Sequence, residues 1–496
     1  MKKFTTAVLS VLLAGTFLLS LAGCTFFAPT TTPAPDGNGQ IVMPDDPDEP
    51  DEPDTPDTPV DPDEPDEPDT PVDPDEPDEP DTPVDPDEPD DPDTPAEEPD
   101  EPTGGEEEST ELYRLYQDAK EDGYTGTFVY FLKELGYGSS DEPAYTVGTA
   151  VQSVVSVDSV YYEDGAEVTP DTDPAAIFSG AGVIYSLDKA EGDAYIITNY
   201  HVVYEQDYGG IADEIRVYLY GQHYLYQYIE AEYVGGAMEF DIAVLHIEDS
   251  ERLKESAALA ADIGDSDEVR VGETVYAIGN PDSQGHSVTR GIVSVPYEQI
   301  TDIDSADGTH KLSLFEIRVD AAINHGNSGG GLFNADGELI GIVNARIEGG
   351  YPTINDFGYA LLSNIVVRVA QNIIDNVAAG GEKGAFRATL GVEVQVDSRT
   401  STYDEATGIS TVIETLSVKS VTAGAPADGI FEVGDIFKSI AFEGGEEEPT
   451  IYLHTVTTFM FGVRKGDTVV ITYERGGVEY EARITYDNDS MFTLFA

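Results

Sequence analysis

From about residue 150 the chain alternates apolar and polar positions in short β-branched runs, broken by glycine and charged turns. Val151 to Val157, Ala181 to Tyr185, Tyr195 to Thr198, Ile215 to Tyr220, Ile242 to Ile247, Val275 to Ile278, Gly291 to Val295, Phe315 to Val319 and Leu339 to Val343 all predict strands. Short strands without interleaved helices predict a mainly β fold, a barrel or a sandwich. Two stretches carry helical spacing instead. Ile365, Val366, Val369, Ile373 and Val377 fall on one face of a helix over 364–378, which Ala379-Gly380-Gly381 ends, and 380–384 then reads as a linker. Upstream, Leu112, Leu115 and Tyr116 share one face, and Phe128, Phe131, Leu132 and Leu135 another. With the turn-like run 122–127 between them, they predict a helical hairpin.

The first hundred residues follow neither pattern. Lys2 and Lys3 precede an apolar run from Phe4 to Ala22, the charged and apolar regions of an export signal. The run ends in Leu21-Ala22-Gly23-Cys24, which resembles the lipobox of bacterial lipoproteins. That resemblance implies cleavage after residue 23 and acyl chains on Cys24; the alternative is an uncleaved membrane anchor. From about residue 44 to 102 the chain repeats units such as Asp-Glu-Pro-Asp-Thr-Pro-Val-Asp-Pro. Proline blocks helix and sheet ladders and the like charges repel, so an extended spacer without a core is expected.

Composition sharpens this picture in two ways. The formal net charge is −74, and no Lys or Arg stands between Asp36 and Glu108. Such a surface repels phosphates, which argues against a nucleic-acid partner. The single cysteine, Cys24, allows no internal disulfide, so stability must come from packing, and an exported chain of this kind points to a bacterial exterior.

The chemistry gathers around Asn324-His325-Gly326-Asn327-Ser328-Gly329-Gly330-Gly331. A serine between glycines suits a nucleophile on a tight turn, whose backbone N–H groups can converge on one point. Thr198-Asn199-Tyr200-His201-Val202-Val203 supplies a histidine and Phe240-Asp241-Ile242-Ala243 an aspartate. Their order, His, Asp, Ser, is that of chymotrypsin-like double barrels rather than of subtilisin or α/β-hydrolases. His246 reads as a packed or edge residue; His223, His286, His310 and His454 read as solvated. Neither a His-Glu-x-x-His pair nor a Cys/His cluster is present, so zinc hydrolysis has no support and neither metal nor organic cofactor is expected.

Six blocks then occur in an order similar to that of HtrA/Deg-type serine proteases: Ser179-Gly180-Ala181-Gly182-Val183, Thr198 to Val202, Asp241 to Leu245, Ala277-Ile278-Gly279-Asn280-Pro281, Arg290-Gly291-Ile292-Val293-Ser294, and Asp320 through Gly330. The resemblance covers nearly all of residues 147–370. It implies a chymotrypsin-like double β-barrel in which Ser328 is the nucleophile, His201 the base and Asp241 its orienting partner, with an oxyanion hole from Gly326, Asn327 and Ser328. His325 and Gly331 stand where the family usually has proline; the loss of rigidity at His325 is expected to let the oxyanion turn switch between active and inactive forms, the alternatives being that His325 meets substrate or simply faces solvent. Ala322, six residues before the serine, occupies the place of the trypsin-type specificity aspartate, and its neutrality favours a small or medium apolar residue before the cleaved bond.

Residues 386–496 resemble a PDZ domain. Arg387-Ala388-Thr389-Leu390-Gly391-Val392 looks like its carboxylate-binding loop and first strand, and Val421 to Ala427 like its central helix and turn, before Val433-Gly434-Asp435-Ile436-Phe437. The resemblance implies that Leu390, Gly391 and Val392 hold a peptide C-terminus by their N–H groups; a fold that only packs on the protease is the alternative. The expected organisation is a lipoprotein signal peptide (1–23), an acidic disordered spacer (24–108), a small helical segment (109–140), a protease domain (144–379) and a PDZ domain (385–496). The expected function is a serine endopeptidase for unfolded or damaged proteins, lipid-anchored on the extracytoplasmic face of a bacterial membrane; the resemblance also implies a homotrimer. A signalling protease with one substrate, and a non-catalytic surface chaperone, are the rival readings.

Overall fold

The computed structural model describes residues 105–121, 124, 126–135, 143–163, 169, 172–222, 227–345 and 357–496. The export segment, Cys24, the spacer and His223 lie outside them.

The described chain opens with helices α1 (Gly105–Glu121), α2 (Phe128–Glu134) and α3 (Pro143–Ala150). The helical hairpin forms as expected, but its inward face differs. Tyr113 and Tyr116 are buried with Phe128, whereas Leu115 and Leu135 face solvent. The tyrosines win because each ring also offers a hydroxyl. Tyr116 Oη donates to Asp262 Oδ1, Phe128 N donates to Asp262 Oδ2 at 2.8 Å, and Tyr113 Oη accepts Ala260 N at 3.1 Å. The hairpin is thus docked on the body of the molecule.

The first barrel is built from β1 (Val154–Tyr161), β2 (Ala176–Asp188) and β3 (Asp193–Thr198). One-turn helix α4 (Tyr200–Val203) and the short hairpin β4 (Tyr204–Glu205) and β5 (Gly210–Ile211) follow. Strands β6 (Glu214–Tyr218), β7 (Ile229–Ala237) and β8 (Ile242–Ile247) close it in the order β1-β2-β3-β8-β7-β6. Helix α5 (Glu251–Glu255) leads toward the second barrel. That barrel comprises β9 (Thr274–Gly279), β10 (Ser287–Asp304), β11 (Lys311–Val319), β12 (Gly331–Asn334), β13 (Leu339–Asn344) and β14 (Gly358–Leu362), in the order β10-β11-β14-β13-β12-β9. The predicted strands are all present except that Val151–Ser153 is a 3-10 turn before β1, and β6 stops at Tyr218. Every residue of β1 is buried, because its two faces serve different cores. Val155 and Val157 fill the first barrel, while Val154 joins the cluster of the second.

Helix α6 (Ser363–Ala378) buries Ile365, Val366, Val369, Ala370 and Ile373 against strands of both barrels, with the apolar spacing the sequence predicts. Each of the Ile and Val side chains contributes roughly 1.5–3 kcal/mol of burial. The linker is pinned: Gly236 N donates to Lys383 O at 3.3 Å and Lys383 Nζ to Tyr233 O at 3.0 Å.

The C-terminal part holds β15 (Ala385–Ala388), β16 (Val392–Asp404), β17 (Ile409–Val421), β18 (Ile436–Phe442), β19 (Glu448–Pro449), α7 (Leu453–Gly462), β20 (Thr468–Arg475), β21 (Val478–Thr485) and β22 (Phe492–Phe495). The sheet runs β16-β17-β18-β20-β21, with β19 on β18, and β15 pairs with β22. The expected helix at 421–427 is not formed. Gly424 and Gly429 have φ of +78° and +76° around Pro426, which gives a run of turns. The helix of this domain is α7, which the sequence reading did not identify.

Candidate active site

His201 sits on α4, which begins as β3 leaves the first barrel. Thr198 Oγ1 donates to Ala181 O at 2.7 Å, and fully buried Asn199 donates from Nδ2 to Asp241 O at 3.1 Å. These bonds fix the start of α4 against β2 and β8. Asp241 lies between the 3-10 turn 238–240 and β8, with φ of +53°, a left-handed conformation that aspartate tolerates better than most side chains. Its carboxylate is buried. It faces His201 Nδ1 at 2.8 and 3.0 Å and accepts the backbone N–H of His201 at 3.1 Å. A buried carboxylate at Nδ1 leaves Nε2 without the proton, as a general base requires.

Ser328 comes from the loop between β11 and β12. Asn327 N donates to Asn324 O at 3.0 Å, and Gly326, at the third position of this turn, has φ of +90°. With His325 outside the left-handed region, the turn is type II, whose third position calls for glycine and whose second favours proline. His325 occupies that second position and is exposed; this single state holds one form of the turn. The loop is stitched to both barrels. Ala181 N donates to Ser328 O at 2.8 Å, Asn280 N to Gly326 O at 3.2 Å, and Gly329 N to Val343 O at 3.0 Å. At Gly329, with φ of +83°, an added Cβ would stand 2.1 Å from Ala181 O, so no larger residue fits. At Gly331, the second site of the usual proline, an added Cβ would strike the Phe333 ring at 2.3 Å.

The two halves meet over Gly180. A Cβ there would lie 2.7 Å from Val202, the neighbour of His201, and 3.2 Å from Ser328 O. Among the described residues, the N–H groups of Gly326 and Ser328 have no acceptor. These two donors, flanking Asn327, are left available to an anionic oxygen. Ser328 Oγ accepts Ala345 N at 3.2 Å, and among the described residues no hydrogen bond joins it to His201 in this state. Such bonds often tighten only around substrate. Asn327 is buried and its side-chain oxygen has no partner among the described residues. Ala322 is exposed and its carbonyl accepts Thr289 Oγ1 at 2.9 Å.

Sequence reasoning did not single out Asn199, Asn280 or Ala345. Asn280 accepts Gly285 N at 2.8 Å and supports the loop opposite Gly326. Two histidines expected to be solvated are not. His286 is half-buried and its Nε2 faces Val154 O at 2.9 Å. His454 is 1% exposed, enclosed by Tyr297, Phe315 and Tyr452, and burial pushes its pKa down to about 4. His246 stacks on Tyr195 with centroids 4.6 Å apart, as a packed residue should.

In the C-terminal domain, the carbonyls of Leu390 and Gly391 accept Ala427 N at 3.0 Å and Thr422 N at 2.8 Å. Their own N–H groups have no acceptor among the described residues, and Val392 opens β16, an edge strand of the sheet.

Residues 180–342 match the family model of the trypsin-like peptidase domain. The serine protease Do-like HtrA of Lactococcus lactis subsp. lactis is 34% identical over 313 residues, 60% of this chain and 68% of that protein. The serine protease Do-like HtrA of Bacillus subtilis is 32% identical over 349 residues, 69% of this chain and 70% of that protein. Among solved structures, the one described as HtrA-type protease AlgW with tripeptide shares 27% identity, covers 71% of this chain and 97% of its own, and superposes with a TM-score of 0.44. Two closed barrels with a histidine–aspartate pair at their junction, and this extent of shared sequence, make the chain a serine endopeptidase that belongs to the HtrA family of Do-like proteases.

Proposed function

We propose that Ser328, His201 and Asp241 are the catalytic triad of an endopeptidase that clears unfolded or damaged proteins outside the cytoplasm. Ser328 Oγ attacks the scissile carbonyl as His201 Nε2 takes its proton. Asp241 holds the imidazole and offsets the charge it gains. His201 then returns the proton to the leaving amine, and water repeats the sequence on the acyl-enzyme. The N–H groups of Gly326 and Ser328 receive the oxyanion, with Asn327 shaping their turn. The observation that carries this reading is the buried carboxylate on His201 Nδ1, across the barrel junction from a serine beside two unpaired amides.

The C-terminal domain is proposed as a PDZ module. A peptide C-terminus would add to the edge of β16 beside α7, its carboxylate on the N–H groups of Leu390, Gly391 and Val392, for recruitment or regulation. The N-terminal signal and Cys24 support a lipid anchor on the outer face of a bacterial membrane, with the acidic spacer giving reach. Family membership supports assembly as a homotrimer. Cleavage of denatured casein by the wild type and not by Ser328→Ala is the expected result. Equal behaviour of the two proteins would favour a binding role. Fatty-acid labelling that persists in Cys24→Ala would refute the anchor.

A further inference from the structure

Glu316 lies in the middle of β11, fully buried, and nothing above uses it. Its Oε1 accepts Asn344 Nδ2 at 2.8 Å, and its buried Oε2 has no partner among the described residues. Two other carboxyls are near. Glu298 stands directly opposite on β10 and is paired with Arg318, on the same strand as Glu316, at 3.3 Å. Asp241 is within electrostatic range, because β11 packs on the turn 238–240. From β14 the residue opposite is Leu361, which brings no charge.

These groups differ in what stabilises a negative charge. Glu298 has a guanidinium. Asp241 has the ring and the backbone N–H of His201. Glu316 has one neutral amide. Three buried or half-buried carboxylates this close do not all ionise, and the proton goes to the one with the weakest donors. Burial first, then the charges of Asp241 and Glu298, push Glu316 up to about 8, against the bond from Asn344. Asn344 ends β13, and the next residue, Ala345, donates to Ser328 Oγ at 3.2 Å. Glu316 therefore reaches the nucleophile through Asn344 and the base through the field at Asp241.

We infer that Glu316, as a neutral carboxylic acid, is a positioning residue for hydrolysis: it holds the Asn344–Ala345 end of β13 against Ser328 and spares Asp241 a second buried negative charge. Ionisation breaks the carboxyl O–H bond: the proton passes to solvent water and the electron pair stays on the carboxylate. It sets a carboxylate beside Asp241, and the site loses its alignment. The inference rests on the assignment of Asp241 and Ser328 proposed above.

The test is the pH dependence of kcat and KM for the wild type, Glu316→Gln and Glu316→Ala, with Ser328→Ala alongside. Wild-type kcat falls on the alkaline side with an apparent pKa near 8. Glu316→Gln is neutral at every pH and still accepts from Asn344, so it keeps kcat within about threefold at neutral pH and loses that limb. KM changes little. Glu316→Ala lowers kcat across the whole range. The same alkaline limb in wild type and Glu316→Gln overturns the inference, as does a Gln variant as impaired as Ala at neutral pH. Should either variant fail to fold, infrared spectra of the wild type decide: the band of a buried protonated carboxyl must fade as pH rises through about 8, and its absence at neutral pH refutes the inference. Activity in Ser328→Ala would instead sink the underlying assignment, whatever Glu316 does.

Discussion

At the scale of single residues, the site depends on who donates to whom. Asp241→Asn keeps the packing but offers His201 Nδ1 the wrong partner, so kcat should fall by roughly 10⁴-fold with the fold intact, checked by steady-state kinetics beside circular dichroism. Gly326→Ala strains a turn whose third residue has φ of +90° and turns away one oxyanion donor; a loss of about 10²–10³ in kcat is expected, with KM nearly unchanged. With Ala322 proposed to meet the residue before the cleaved bond, cleavage after small or medium apolar residues is expected, and profiling that found cleavage mainly after Lys or Arg would contradict it. Glu316 also makes a stability statement. Its folded pKa, about 8, lies above the ordinary 4.5, so the folded state keeps a proton that the unfolded chain has released. That contribution is whole below the ordinary value and is lost as pH rises to about 8. Glu316→Gln should therefore raise the melting temperature relative to wild type at alkaline pH and not at acid pH. The proposed triad residues and the glycines around Ser328 could be named from the sequence because each motif is contiguous and chemically constrained. Glu316 could not, since a carboxyl inside an alternating strand looks like an outward-facing residue until β10 and the turn 238–240 are packed on it.

At the scale of elements, legibility followed periodicity. Helix α6 presents an apolar stripe to both barrels, so its spacing sufficed. Helix α7 is buried on most sides, His454, Thr455, Val456, Thr458, Phe459, Met460 and Phe461 included, so no polar face marks it. On α1 Leu112 and Tyr116 point inward as expected, but Tyr113 takes the place expected of Leu115, because the tyrosine hydroxyls find partners at Asp262 and Ala260. What joins α6 to the C-terminal domain was invisible to any pattern. Buried Asn372 donates to Phe386 O at 2.8 Å and Phe461 O at 2.6 Å, and accepts Phe386 N at 2.7 Å. Asn372→Ala removes all three bonds and leaves buried groups unpaired. A loss of about 2–4 kcal/mol is expected by denaturant titration, against under 0.5 kcal/mol for a change at an exposed position.

At the scale of the whole molecule, the protease and the C-terminal domain share a core. Phe240, the residue before Asp241, meets Phe461 of α7 edge-to-face at 4.9 Å and Phe495 of β22 at 5.4 Å, with the Arg387 guanidinium 4.6 Å from the Phe495 ring. Fully buried Phe461 belongs to the same apolar cluster as the second barrel. Glu414 adds a polar seam, accepting Leu453 N at 2.8 Å, Arg399 Nε at 2.9 Å and Tyr297 Oη at 3.5 Å. A chain cut after residue 384 uncovers this surface and should melt at lower temperature and aggregate sooner, as scanning calorimetry and light scattering would show; equal stability would mean that the seam is incidental. Yet the function of the molecule rests on whether one hydroxyl is activated by one imidazole. Labelling of the native chain with a fluorophosphonate, followed by peptide mass spectrometry, addresses that directly. The account expects one adduct, on Ser328, abolished by Ser328→Ala and slowed by orders of magnitude in His201→Ala; an adduct on another residue, or equal labelling of wild type and His201→Ala, would contradict it.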